Sequence, residues 1–116
     1  MKETGLGRIE VAPSAIASLA SQVVLECYGV VDMAGKDLAS DIIDRLPFDN
    51  HRRGVVVHID NDQIVIDLYV VIEYGTRIIT VARNIQSAVK YTIERALQAP
   101  VVAVNIHVQD LRVSAD

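Results

Sequence analysis

The chain has 116 residues, of which 51% are hydrophobic and 4% aromatic, and its formal net charge is −4. This size fits one domain with an aliphatic core, residues 1–116, and the acidic charge and few aromatic rings argue against a nucleic-acid-binding protein. A single cysteine excludes an intramolecular disulfide, and no stretch is typical of a signal peptide or a membrane span. We therefore expect a cytoplasmic protein.

The first part of the chain alternates extended segments with helices. Residues 8–11 alternate in polarity and predict a short strand with Ile9 and Val11 facing inward. Apolar residues at helical spacing predict a helix over residues 14–28, which Gly29 ends. Three further segments follow: a short strand at residues 30–33, a weaker helix at residues 36–46 and a polar surface loop at residues 48–53.

Residues 54–75 form the longest apolar stretch, and their apolar side chains recur with a period of two. Asn61 and Asp62 lie where a two-residue hairpin turn is expected, because both residue types tolerate positive φ. The resulting register places three apolar pairs on one face of the hairpin. These pairs are Val55 with Leu68, Val57 with Ile66, and Ile59 with Ile64.

A long helix and a last strand follow the hairpin. The helical apolar pattern extends from Thr76, a possible N-cap, to about residue 99, where Pro100 breaks it. The pattern of residues 101–109 then alternates, and its phase slips near Asp110, which predicts a bulge or the end of the strand. The strand residues expected to face the core are Val102, Val104, Ile106 and Val108.

These elements predict an α+β fold. We expect a two-layer sandwich, in which a small mixed or antiparallel sheet built on the 54–75 hairpin carries helices mainly on one face. The second strand of the hairpin is much longer than the first, so residues 69–74 need another partner. The strand near Val102 and the strand near Ile9 are both possible partners.

Few residues suggest chemistry. His58, His107 and Asp67 all face outward, and they could approach a metal-ligand cluster if the strands of the two histidines were neighbours. Their local spacing matches no compact metal motif, so polar residues on a solvated sheet face explain them better. Cys27 lies on an apolar helix stripe beside Glu26, which predicts an inert thiol. We therefore predict no catalytic residue, no metal and no cofactor, and a metal-dependent enzyme using the two histidines is the least favoured alternative.

The outward face of the hairpin mixes apolar and polar side chains, which indicates that something covers it. Tyrosine is enriched at interfaces because it joins an apolar ring to a polar tip. The candidate interaction surface consists of Asp67, Tyr69, Val71, Glu73 and Tyr74. Either another subunit or the chain's own helix at residues 36–46 could cover this face, and the sequence leaves both open.

Five stretches of the chain resemble the alkaline shock protein family of Gram-positive bacteria, including its YloU-like members. They follow in order along nearly the whole chain: GRIEVAPSAI, GVVDMAG, IVIDLYVVIEYG, TVARNIQSAVKYTIE and VNIHVQDL. The DLYVVIEYG segment, followed by an amphipathic helix and a VNIHV strand, is the most specific of these. The absence of long charged tails favours the short YloU-like group.

The resemblance implies a non-enzymatic cytoplasmic interaction or scaffold protein linked to cell-envelope homeostasis and stress response. It implies action through self-association, as a homo-oligomer, and through a protein partner that is membrane-anchored or kinase-like, with no nucleic acid bound and no direct membrane insertion. Such a partner would hold the chain near the membrane. The family supplies no catalytic residues. The alternative is an accessory domain that handles a small molecule or lipid for a kinase-like partner, with an apolar pocket between sheet and helices.

Overall fold

The computed structural model describes residues 2–33, 51–52 and 54–113. Within these ranges, two helices accompany a small β-hairpin and a five-stranded sheet, which confirms the predicted α+β class. The predicted helix at residues 36–46 lies outside the described residues. The elements in chain order are β1 (Lys2–Thr4), β2 (Gly7–Ile9), α1 (Pro13–Leu25), β3 (Val30–Met33), β4 (His51–Arg52), β5 (Val55–Asp60), β6 (Gln63–Glu73), α2 (Ile78–Leu97) and β7 (Val101–Arg112).

The β5–β6 hairpin has the predicted turn and the predicted register. Asn61 and Asp62 adopt φ values of 53° and 63°, the left-handed pair that a tight two-residue turn requires. All three predicted cross-strand pairs are present: Val55 with Leu68, Val57 with Ile66, and Ile59 with Ile64. Period-two patterning and turn chemistry therefore specify this hairpin locally.

Strand β6 is the centre of the sheet. One of its edges pairs antiparallel with β5 along residues 63–68 and then with β3 along residues 70–72. Its other edge pairs with β7 in parallel along residues 64–73, so the sheet is mixed. The strand near Val102 is thus the partner that the long strand needed, whereas the segment at Ile9 pairs with β1.

Both helices pack on one face of the sheet, as the two-layer prediction requires. Helix α1 lies over β3, β4 and β5, helix α2 lies over β7, and the two helices contact each other. Each fully buried aliphatic side chain stabilises such a core by about 1.5–3 kcal/mol. The buried stripe of α2 is Val81, Ile85, Val89 and Ile93, and it faces the fully buried β6 residues Ile64, Ile66, Leu68, Val70 and Ile72.

Three predictions about the strands were wrong. Val102 is 55% exposed, because β7 shifts register between Val101 and Ala103 and leaves Val102 as an extra residue. Ile9 is 58% exposed, since β2 pairs away from the main sheet. The predicted loop at residues 48–53 contains strand β4, which pairs with β5.

The predicted cap of the long helix was also wrong. Thr76 does not cap α2, because its hydroxyl donates to the Glu73 carbonyl at 2.7 Å. Arg77 is the N-cap residue, and its side chain makes no capping hydrogen bond. The threonine therefore closes the turn that follows β6 and leaves the helix to begin two residues later.

A second register shift in β7 confirms the predicted bulge near Asp110. Val70 pairs with Val108, and the next β6 residue, Val71, pairs with Asp110. Gln109 is therefore the extra residue. A bulge of this kind reverses the side-chain alternation that follows it.

Gly29 connects α1 to β3 in a conformation that requires glycine. Its φ is +90°, and a Cβ built at this position would lie 2.8 Å from Cγ2 of Val81 on α2. Its carbonyl also accepts a hydrogen bond of 2.8 Å from the Glu73 backbone N–H. A side chain here would therefore meet both backbone strain and a steric clash.

Candidate functional site

Asp67 lies at the middle of the outward face of the sheet, on β6. Its Oδ2 lies 3.2 Å from Nε2 of His58 on β5, and its Oδ1 lies 3.1 Å from Nε2 of His107 on β7. Asn105 Nδ2 donates to the same Oδ1 at 3.0 Å. The sequence-based expectation required the strands of the two histidines to be neighbours of each other, and they are not. Each is instead a neighbour of β6, the strand that carries Asp67. We call Asp67, His58, Asn105 and His107 the Asp67 cluster.

The surroundings of Asp67 favour its ionised form. Partial burial alone would raise the pKa of this carboxyl, but hydrogen bonds from His107 and Asn105, together with the positive charge that both imidazoles can carry, outweigh it. The pKa of Asp67 is therefore lowered from its ordinary value. Among the described residues, no group of three potential ligand side chains has the geometry to hold a metal ion.

The candidate interaction surface divides into a packed part and an exposed part. Tyr69 is 9% exposed and Val71 is 3% exposed, and Tyr69 stacks on the ring of His107. The side chain of Asp67 is 18% exposed. Glu73 is half-buried, and Tyr74 is 64% exposed. That these five residues bind another protein stays a prediction, and Tyr74 is the member most accessible to a partner.

Backbone hydrogen bonds bring three exposed apolar side chains to one end of the sheet. The Tyr74 N–H donates to the Arg112 carbonyl at 2.9 Å, and the Glu73 N–H donates to Gly29 at 2.8 Å. We call the resulting group the Tyr74 end: Tyr28, Tyr74 and Val113, which are 78%, 64% and 73% exposed. The sequence did not predict that Tyr28 belongs to this group, because only the pairing of β3 with β6 brings it close to the end of β6.

An apolar groove of about 430 Å³ lies at the opposite end of β6. It is lined mainly by the end of β2 and the residues just after it, and by the end of α2 and the residues just after it, including Ile9, Val11, Leu97 and Pro100. The groove lies at the rim of the molecule. It differs in place from the pocket between sheet and helices that the small-molecule alternative predicts.

Comparison with known proteins identifies the family. A model of the alkaline shock protein 23 family, described as having a cell envelope-related function, matches residues 1–113. The chain belongs to the alkaline shock protein 23 family.

Three relatives from bacteria are similar to this family member along most of their length. The chain is 40% identical to the uncharacterized protein YloU of Bacillus subtilis (strain 168) over 112 residues, covering 96% of this chain and 93% of YloU. It is 36% identical over 108 residues to the uncharacterized protein Spy1614 of Streptococcus pyogenes serotype M6, covering 92% and 89%. It is 33% identical over 107 residues to the uncharacterized protein YqhY of Bacillus subtilis (strain 168), covering 92% and 78%.

These comparisons confirm the family resemblance seen in the sequence. The description of the family names the cell envelope and names no reaction. No solved structure is significantly similar to the chain. In the part of the chain that the structure describes, no helix is both long and apolar enough to cross a bilayer.

Proposed function

We propose that this alkaline shock family chain is a non-enzymatic interaction protein that supports the cell envelope and its stress response by binding a second copy of itself and a protein partner. The observation that carries the proposal is a contrast between two surfaces. In the Asp67 cluster, polar side chains are bonded to one another. At the Tyr74 end, two tyrosine rings and a valine side chain are exposed.

The Asp67 cluster is poorly suited to catalysis. A general base needs a free acceptor within reach of a substrate proton. Both carboxylate oxygens of Asp67 already face donors, and its side chain is 18% exposed. Burial, and then the charge of Glu26, raise the pKa of Cys27, which disfavours a nucleophilic thiolate. These features support binding rather than chemistry.

The Tyr74 end is suited to protein recognition. Tyr28 and Tyr74 present exposed aromatic rings with hydroxyl tips, a side-chain type that is enriched among interface anchors. We propose that the partner is a membrane-anchored or kinase-like protein. A membrane-anchored partner would hold this chain on the cytoplasmic side of the envelope, which accords with a cell-envelope function and with the absence of a described membrane-crossing helix.

A pull-down with a matched pair of tyrosine variants tests the proposal. Tyr74→Ala removes an interface anchor, whereas Tyr91→Ala removes a tyrosine of similar exposure, 62%, from α2. The tagged chain is used to capture proteins from its native cells, and these are identified by mass spectrometry. We expect a partner whose recovery falls about tenfold or more with Tyr74→Ala and is unchanged with Tyr91→Ala. Equal recovery by wild type and Tyr74→Ala would contradict the proposal.

The envelope role is tested in cells that lack the chain. We expect these cells to be more sensitive to cell-wall and alkaline stress, and we expect Tyr91→Ala but not Tyr74→Ala to restore resistance. Normal resistance without the chain would remove the proposed link to the stress response.

The rim groove favours a second candidate function, an accessory domain that handles a small molecule or lipid for a kinase-like partner. Its volume of about 430 Å³ and its apolar lining suit an acyl chain. Binding of a fluorescent fatty acid tests this candidate, with Ile9→Glu as the variant that introduces a charge into the groove. Saturable binding that Ile9→Glu abolishes would support it, and no binding to wild type would exclude it for this ligand class.

A further inference from the structure

Within residues 2–33, 51–52 and 54–113, one edge of β7 pairs with no other strand, and α2 covers that edge only in part. Lys90 Nζ donates to the Val101 carbonyl at 2.8 Å, and Gln86 Nε2 donates to the Val104 carbonyl at 2.8 Å. These two side chains take the place of a neighbouring strand over the first half of β7. Among the described residues, β7 pairs only with β6, and no side chain from α2 bonds to the edge beyond Val104. The open half of the edge therefore runs over residues 106–111.

The backbone groups of alternate residues point to this open edge. In a parallel pair, the N–H and C=O of one residue point to the same side, and those of the next residue point to the other. The Val104 carbonyl points toward α2, so the backbone groups of Ile106 and Val108 point to the same edge. The bulge at Gln109 then shifts the phase, and Leu111 is the next residue to point outward.

Two hydrogen bonds support this assignment beyond the bulge. The Leu111 N–H donates to Oδ1 of the preceding residue, Asp110, at 2.9 Å, and not to a carbonyl of β6. The Arg112 carbonyl accepts from the Tyr74 N–H at 2.9 Å, so it points to β6. Leu111 therefore presents its backbone to the open edge, as Ile106 does.

The bulge also brings Ile106 and Leu111 onto the same face of the sheet. Ile106 pairs with Leu68 and Leu111 pairs with Ile72, and both of these β6 residues are buried on the helix side. Asn105 and Arg112 both lie on the outward face, because they pair with the outward β6 residues Asp67 and Glu73. Without the bulge, residues five or seven apart would point to opposite faces.

We propose that residues 105–112 of β7 pair antiparallel with the same residues of a second copy about a two-fold axis, which joins two sheets into one. Ile106 then lies opposite Leu111, His107 opposite Asp110, and Asn105 opposite Arg112. Each pair shares a face, as direct cross-strand neighbours must. In the dimer, the Leu111 N–H exchanges its bond to Asp110 Oδ1 for one to the Ile106 carbonyl of the second copy, so that Ile106 and Leu111 form a hydrogen-bonded pair and the Asp110 carboxylate is released. A register shifted by one residue would place opposed side chains on different faces of the sheet and would remove the hydrogen-bonded pair. This inference rests on the proposed function for its role, and it supplies the self-association surface.

The opposed side chains are complementary. On the helix side, half-buried Ile106 meets Leu111, which is 42% exposed in the single chain and lines a shallow groove with Ile78 and Val108. On the outward side, the Asp110 carboxylate, a hydrogen-bond acceptor, faces the imidazole of His107, a ring that can donate a hydrogen bond. The segment is thus apolar on one face, polar on the other and complementary to itself, which fits a closed dimer of identical chains.

The oligomeric state of two aspartate variants tests the dimer. Leu111→Asp places a charge on the open half of β7, whereas Val102→Asp places one at an exposed position on the covered half. By analytical ultracentrifugation we expect dimers for wild type and Val102→Asp, and a dissociation constant at least about tenfold higher for Leu111→Asp. A wild type that stays monomeric at all concentrations, or equal weakening by both variants, would overturn the proposal.

Disulfide trapping tests the register. In a Cys27→Ser background, Asn105→Cys and Arg112→Cys are made as separate proteins, and both positions are exposed. Opposed residues 105 and 112 should cross-link when the two proteins are mixed. Each protein alone should not, because the two copies of residue 105 lie roughly 20 Å apart in this register. Cross-linking of Asn105→Cys alone at the rate of the mixture would overturn the antiparallel register.

The two proposals fail independently. A Leu111→Asp monomer that still captures the partner shows that the dimer surface is correct and separate from the Tyr74 end. A Tyr74→Ala dimer that loses the partner shows the converse. If wild type is a monomer that captures the partner through Tyr74, the β7 dimer is wrong and the partner-binding part of the proposed function stands.

Discussion

The ring of His107 stacks on the ring of Tyr69, with centroids 4.4 Å apart and planes inclined by 13°. The two residues are paired on adjacent strands, and the same imidazole reaches Asp67 through Nε2. One side chain thus links an aromatic contact to a charged one. This link holds β7 to β6 on the face of the sheet opposite α1 and α2. Within the described part of the chain, His58 has no such ring stack, so the two histidines of the Asp67 cluster should contribute unequally to stability.

We expect His107→Ala to destabilise the fold more than His58→Ala. His107 loses a ring stack and a hydrogen bond, together worth about 1–3 kcal/mol. His58 has 59% of its side chain exposed and loses one solvent-screened contact, worth less than about 1 kcal/mol. Urea unfolding of both variants measures the difference in free energy of unfolding. Equal losses would show that the stack contributes nothing to stability.

We expect Asp67→Asn to lower the free energy of unfolding by about 1–3 kcal/mol at neutral pH, because His107 and Asn105 lose a charged hydrogen-bond acceptor. His58 also loses a carboxylate 3.2 Å away. Asp60→Asn is the control, since Asp60 is exposed at the end of β5. That change should stay within about 0.5 kcal/mol. A loss of similar size in both variants would mean that the Asp67 cluster does not stabilise the sheet.

The stability that Asp67 provides should depend on pH in one direction. Burial opposes ionisation, but hydrogen bonds from His107 and Asn105 prevail, so the pKa in the folded chain lies below the ordinary value of about 3.9. The contribution is therefore present above that ordinary value and is lost as the pH falls through the folded pKa. The free energies of unfolding of wild type and Asp67→Asn, measured in urea, should converge as the pH is lowered below about 3.9. A constant difference over this range would contradict the lowered pKa.

We expect Gly29→Ala to destabilise the fold by about 2 kcal/mol, because alanine is strained at positive φ and its Cβ would press on Val81. Gly5→Ala is the matched control, since a Cβ there would meet no atom within 4 Å. Thermal unfolding should show a lower midpoint for Gly29→Ala alone. Unchanged stability would mean that the α1–β3 connection can relax away from α2.

The Cys27 thiol should react slowly in the folded chain. Burial, and then the neighbouring Glu26 carboxylate, raise its pKa, and its Sγ lies 3.4 Å from the Val23 carbonyl oxygen. A raised pKa leaves less thiolate at neutral pH, and the thiolate is the reactive form. Alkylation by iodoacetamide should be slower in buffer than in urea, and Glu26→Gln should shift the rate profile to lower pH. Equal rates in buffer and urea would show an accessible thiol of ordinary pKa.

Local patterns predicted the elements whose determinants lie close together in sequence. The β5–β6 register follows from alternation on both sides of Asn61 and Asp62, and it is correct pair by pair. The bulge near Asp110 was visible as a slip in the phase of the apolar residues. The bulge at Val102 was not, because the residues around it keep a regular alternation while the neighbouring strand, β6, sets the register.

The candidate site depends on contacts between distant residues. The outward positions of His58, Asp67 and His107 follow from strand parity, but their meeting requires β5 and β7 to take opposite edges of β6. The odd or even position of a residue in a strand predicts which face of the sheet its side chain occupies. It does not predict which strands are neighbours. Asn105 and Tyr28 were missed for this reason, and the burial of Tyr69 and Val71 on the outward face also could not be predicted from their alternation.

Strand β6 has neighbours along both edges, and the Tyr69 N–H that faces the junction between β5 and β3 donates to Gly54 at 2.8 Å. Amide protons in such a strand exchange with solvent only when the whole structure opens. The slowest-exchanging amides of the molecule should therefore lie in β6. Their exchange rate would report the global free energy of unfolding directly, in native buffer and without denaturant.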